Sequence, residues 1–120
     1  MSSNDVGAIQ RIIKASRNSL KGLSGAWANE AAFRYEIYIS IVALPAAWLL
    51  GQNAVERALL IGSALLVVVV EILNSAVEAT VNRIGLEFDE LSGRAKDLGS
   101  AAVFCAIVVA AATWAIVLLG

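Results

Sequence analysis

Two carboxylates stand inside the most apolar part of this chain. Glu71 follows the run Ala64-Leu65-Leu66-Val67-Val68-Val69-Val70 and opens Glu71-Ile72-Leu73-Asn74-Ser75-Ala76-Val77-Glu78. A charged side chain at the centre of a membrane helix costs about 2.5 kcal/mol or more. The same segment carries that burden at both Glu71 and Glu78. At 3.6 residues per turn, Glu71, Asn74, Ser75, Glu78 and Asn82 share one narrow stripe. An acidic and amide stripe on a greasy helix calls for a partner, and a cation is the natural one.

The two acids suit different work. Glu78 is expected near the membrane interface, with Glu71 two turns deeper, about 10 Å at the helical rise. Mg²⁺ takes oxygen ligands, usually one or two carboxylates completed by water and phosphate. Glu78 fits that role, and Glu30 in Trp27-Ala28-Asn29-Glu30 offers a second carboxylate at the start of another segment. Glu71, deeper and less solvated, suits a proton acceptor better than a metal ligand. The bland alternative is that these groups only bond helices to one another. Further on, Glu87-Phe88-Asp89-Glu90-Leu91-Ser92-Gly93-Arg94-Ala95-Lys96-Asp97 is densely charged. Arg94 and Lys96 can neutralise phosphate oxygens, and Asp97 can orient Lys96 or touch a metal. On charge alone an ordinary solvated loop explains it equally well, and only the acidic stripe on the same side of the membrane shifts the balance.

These residues belong to an all-α membrane protein. Among 120 residues, 59% are hydrophobic and 16% charged, with a mean hydropathy of +0.77. A water-soluble domain of this length could not hide so much apolar surface. The net charge of -1 gives no sign of nucleic-acid binding. The single cysteine, Cys105, rules out an intramolecular disulfide, and the absence of histidine removes histidine bases, ligands and phosphohistidine intermediates. No G-x-x-x-x-G-K-[ST], H-R-D, D-F-G or G-x-S-x-G is present, so P-loop enzymes, protein kinases and serine hydrolases are set aside.

Four elements position the polar groups within one domain, 1–120. Residues 6–28 form an amphipathic surface helix, with Val6, Ile9, Ile12, Ile13, Leu20 and Leu23 on one side and Arg11, Lys14, Arg17 and Lys21 on another. Its cations suit an anionic membrane surface or a phosphate. Transmembrane helices are expected over 31–50, kinked at Pro45, over 56–82, and over 98–120. Gly51-Gln52-Asn53 is a short turn, and 83–97 a polar connection. The first thirty residues hold no apolar stretch of signal-peptide length, so the hydrophobic segments are expected to be retained as spans. Arg11, Lys14, Arg17, Lys21 and Arg34 precede the first span, and Arg83, Arg94 and Lys96 lie in the second connection, against Arg57 alone near the first turn. The N-terminus and second connection are therefore expected in the cytoplasm, and the C-terminus outside. Trp27, Trp48 and Trp114 read as interfacial anchors. So small a membrane protein has little interior, and an oligomer is expected.

The strings Glu71 to Ala79 and Glu90 to Asp97 resemble the signature of the small prokaryotic diacylglycerol kinases. Arg11-Ile12-Ile13-Lys14-Ala15 and Trp27-Ala28-Asn29-Glu30-Ala31-Ala32-Phe33-Arg34 are similar to that family's N-terminal part. The likeness runs along nearly the whole chain, more weakly in the first and third spans. It implies a homotrimer of three-span subunits, with active sites shared between neighbours, that transfers the γ-phosphoryl of ATP to a lipid alcohol at the cytoplasmic face of the inner membrane. It implies Glu71 as the general base with Asn74 beside the reacting groups, and Mg²⁺ held by Glu30 and Glu78. It places Arg11, Asn18, Glu30, Glu78, Glu87, Phe88, Asp89, Lys96 and Asp97 at ATP. It places Ala15, Ser19, Trp27, Arg34, Glu71, Ser100 and Trp114 at the lipid. The chain departs from the family pattern at Asn18, Asn82 and Asp89, where an aromatic, an aspartate and a different polar residue are usual. The changes at Asn18 and Asp89 bear on adenine affinity rather than on reaction type.

The expected activity is phosphorylation of sn-1,2-diacylglycerol to phosphatidic acid. An undecaprenol kinase shares the architecture and motifs, although the Arg11-containing helix and the Trp27 to Arg34 string look closer to the diacylglycerol type. A small proton-coupled transporter, with Glu71 binding the proton, is the competitor from another class. It explains the buried acid but not the long charged connection on one face.

Overall fold

The apolar runs and their breaks give four helices in the structure, a computed structural model that describes residues 3–85 and 89–120. They are α1 (Ser3–Asn29), α2 (Ala31–Leu50), α3 (Ala54–Ile84) and α4 (Glu90–Leu119). Glu87 and Phe88, expected at the nucleotide, lie outside the described residues. The last three helices are each long and apolar enough to cross a membrane. The apolar window of α4 is only 6% buried within the chain, so most of its greasy surface faces lipid or another subunit. The chain is a membrane protein.

Glu30 separates α1 from α2 with an extended backbone, φ −116° and ψ 105°. Arg34 then reaches back, and its Nη1 donates to the carbonyls of Trp27 at 2.8 Å and Ala28 at 3.3 Å. It thereby satisfies carbonyls left open at the end of α1. The edge of one ring meets the face of the other between Trp27 and Tyr38, with centroids 5.7 Å apart. The principal extents are 52 × 46 × 23 Å. Since α1 and α2 end to end would span about 70 Å at the helical rise, α1 turns steeply away from the bundle. Its apolar residues Ile12, Ile13 and Leu20 remain exposed, as a helix lying on a membrane surface requires.

At the opposite end, Asn53 caps α3 by accepting from the Glu56 N–H at 2.9 Å, and the Gln52 N–H donates to Glu56 Oε1 at 3.2 Å. Arg57 Nε donates to the Trp48 carbonyl at 3.0 Å while its guanidinium lies 4.6 Å from the Trp48 ring centroid. Gly51 is needed because a Cβ there would come within 2.6 Å of Arg57 Cγ and 3.1 Å of the Ala47 carbonyl oxygen.

α3 carries two seams. Leu60, Ser63, Val67, Glu71, Asn74 and Val81 are buried against α2 and α4. Val55, Leu59, Gly62, Leu66, Val69, Leu73, Ala76 and Thr80 are all exposed, and their alternating spacing of four and three is the heptad repeat of a coiled coil. Trp114 Nε1 donates to the Leu60 carbonyl at 3.1 Å and ties α4 to α3. The polar residues 90–97, read from sequence as a connection, form the first turns of α4. Asp89 starts that helix by accepting from the Leu91 N–H and the Ser92 hydroxyl, each at 3.2 Å.

Arg57→Met keeps the aliphatic stem but loses both the hydrogen bond and the ring contact. It is expected to destabilise the chain by about 1–2 kcal/mol, measured by reversible denaturation in detergent micelles.

Candidate active site

The inward seam of α3 brings the chemistry together. Glu71 is 7% exposed and Asn74 8% exposed, while Glu78, about one turn further, is half-buried. Asn74 Nδ2 donates to Glu78 Oε1 at 3.4 Å. Asn74 Oδ1 is buried without a hydrogen-bond partner, an arrangement that costs about 1–3 kcal/mol. Ser75 is half-buried, and Asn82 is exposed, leaving the stripe.

The carboxylates of Glu36, Glu78 and Glu30 lie close enough to Glu71 to repel its charge. A cluster of acids among membrane helices is unfavourable unless a proton, a donor or a cation joins it. Among the described residues, no three His, Cys, Asp or Glu side chains converge closely enough to cage a metal.

Glu36 is not singled out by the sequence analysis and falls within the expected first span, 31–50. The available signal was its face: Phe33, Ser40 and Ala47 are buried on α2, and Glu36 lies on the same side at helical spacing. It lines a cavity of about 370 Å³ between α2, α3 and α4, together with Ile39, Ala43, Val67, Ile107 and Trp114. The cavity is an apolar trough with a carboxylate in its wall.

The other expected site residues are distributed as follows. Lys96, Asp97 and Ser100 are exposed on α4, whose Gly99 faces Asn74. The first turns of α4 therefore stand beside the carboxylate stripe. Arg11, Ala15, Asn18 and Ser19 are exposed on α1, where Gln10, Ile13, Lys14, Arg17 and Asn18 line a shallow groove. The Ser19 hydroxyl donates to the Ala15 carbonyl at 2.9 Å. Trp27 and Arg34 hold the α1–α2 junction, Trp114 lines the apolar trough, and Asp89 is engaged as a helix cap.

The model of the family described as prokaryotic diacylglycerol kinase matches residues 17–118. The chain belongs to the prokaryotic diacylglycerol kinase family. It is 57% identical over 116 residues to a diacylglycerol kinase of Escherichia coli K12, covering 97% of this chain and 95% of that relative. It is 49% identical over 112 residues to a diacylglycerol kinase of Pseudomonas aeruginosa, covering 93% and 91% of the two chains. It is 46% identical over 106 residues to a diacylglycerol kinase of Haemophilus influenzae, covering 88% and 90%. In this chain Glu36 of α2 is the acid in the wall of an apolar trough that α3 and α4 complete with Val67, Ile107 and Trp114.

Asp89→Ala removes the cap of α4 and is expected to destabilise the chain by about 1 kcal/mol, most of which Asp89→Ser should restore. Thermal denaturation of the three proteins in one detergent measures this.

Proposed function

We propose that this chain transfers the γ-phosphoryl group of ATP to the hydroxyl of sn-1,2-diacylglycerol, giving phosphatidic acid and ADP. The observation that carries the reading is a buried carboxylate, Glu71, close to an apolar trough, in a chain 57% identical to a diacylglycerol kinase. The trough suits acyl chains, with Trp27, Arg34, Ser100, Trp114, Ala15 and Ser19 toward the lipid. Glu71 accepts the proton of the lipid hydroxyl as its oxygen bonds to the γ-phosphorus and the bond to the β–γ bridging oxygen breaks. Asn74 orients the acids through its bond to Glu78.

Phosphoryl transfer depends mainly on positioning and charge neutralisation. Lys96 and Arg11 face the phosphates, Asp97 orients Lys96, and Asn18, Glu87, Phe88 and Asp89 border the nucleotide. The donor set fits Mg²⁺, which needs only one or two carboxylates when phosphates and water supply the rest, and Glu30 and Glu78 would hold it. Bound there with ATP, Mg²⁺ supplies neutralisation of the phosphate charge.

The unpartnered heptad seam of α3 supports a homotrimer, and the open carboxylate set supports sites shared between neighbours. The excess of cations on α1 and at the start of α4 supports a bacterial inner-membrane protein with its N-terminus in the cytoplasm, where ATP is available.

Purified protein in mixed micelles with Mg-ATP is expected to convert diacylglycerol to phosphatidic acid. Glu71→Gln is expected to lose turnover by at least about 100-fold while nucleotide binding persists. Normal turnover in Glu71→Gln would overturn its role. Preference for undecaprenol would change the substrate and keep the mechanism, and no phosphorylated product from either lipid would overturn the kinase reading. Leu66→Arg, which puts a cation in the outward seam of α3, is expected to abolish both the trimer and activity, read by crosslinking and by the same assay.

A further inference from the structure

Helices α3 and α4 meet at one point where a side chain is excluded. A Cβ on Gly99 would overlap Asn74 Oδ1 and lie 3.1 Å from Asn74 Cγ, yet it would stand 3.9 Å from Asn74 Cβ. The conflict is therefore with the carboxamide of Asn74 and not with the backbone of α3. Gly99 lies within α4 and is not at a backbone conformation that only glycine adopts. A helix interior otherwise prefers alanine to glycine.

The carboxamide is held from both sides. Nδ2 reaches Glu78 Oε1 at 3.4 Å, and Oδ1 is buried with no hydrogen-bond partner, turned toward the Cα of Gly99. Exchanging O and N would set a carbonyl oxygen against the Glu78 carboxylate, so this orientation is the favourable one. Lys96 is one helical turn before Gly99 on α4. The absent side chain of Gly99 therefore sets how closely Lys96 and its neighbours approach Asn74 and Glu78.

We propose that Gly99 is a positioning residue for phosphoryl transfer: its bare Cα holds the Asn74 carboxamide against Glu78 and fixes the spacing between the acids of α3 and the cation-bearing turn of α4. It acts through Asn74 and touches neither lipid nor nucleotide. This rests on the kinase reading above.

A double-mutant cycle tests it, with the full chain in mixed micelles and Mg-ATP. Gly22 on α1 also lies in a helix, has no atom that an added Cβ would meet within 4 Å, and serves as the control. Gly99→Ala is expected to lower kcat by tenfold or more and raise the KM for Mg-ATP, while Gly22→Ala stays near the unmutated protein. In the Asn74→Ala background, where the overlapping carboxamide is gone, adding Gly99→Ala is expected to change the residual kcat by less than about twofold. If Gly99→Ala alone fails to fold, Asn74→Ala with Gly99→Ala is expected to fold, because only an ordinary Cβ contact remains. Wild-type kcat in Gly99→Ala, losses that multiply in the double variant, or a double variant as unstable as Gly99→Ala would each overturn the proposal. Absence of lipid phosphorylation by the unmutated protein would instead overturn the kinase reading, and this proposal with it.

Discussion

The molecule is organised around a buried acid. Glu71 is almost fully buried in a membrane helix, with the carboxylates of Glu36, Glu78 and Glu30 close enough to repel its charge. Removing a carboxylate from water in the company of like charge works against folding. Such an arrangement favours a proton, a donor or a cation beside it. Ser40 and Ala43 on α2 and Ala110 and Ala111 on α4 line the neighbouring trough, and these small side chains leave room for an occupant.

Room is left on the outside as well. α3 buries one seam within its own chain and leaves a second, equally regular one exposed, while α4 is almost bare. Lipid tails are as apolar as leucine, so burial alone does not associate membrane helices. Close packing and hydrogen bonds do. Ties of the latter kind hold the end remote from the acids, where Trp114 grips the Leu60 carbonyl and Arg57 grips that of Trp48. At the acidic end the α3–α4 approach is set by a fit, Asn74 against Gly99. The bundle is thus tied at one end and shaped at the other.

Much of this was legible in the sequence, because hydrophobic runs and helical periodicity report directly on membrane helices. The three long apolar helices, the amphipathic α1 and the Glu71–Asn74–Glu78 stripe needed only spacing to be seen. Glu36 escaped because a carboxylate at the edge of an apolar run looks like a flank. Only its register with Phe33, Ser40 and Ala47 shows that it faces inward. Asp89, expected at the nucleotide, also starts a helix: its carboxylate caps α4, a role that becomes visible only once 90–97 are seen to be helical. Charged residues 90–97 looked like a loop because polarity masks helix formation when the helix extends into water. Gly99 carries no signal at all in Asp97-Leu98-Gly99-Ser100, since its meaning depends on a side chain from another helix.

The short turn between α2 and α3 solves a problem of charge placement. Arg57 is the cation at the tip of this helical hairpin, and its guanidinium is bonded to the Trp48 carbonyl and covered by the indole ring of the same residue. Gly51, by leaving room for that side chain, lets the hairpin carry its charge folded in against its own backbone. A feature that closes a turn thus also shields a charge where two apolar helices meet.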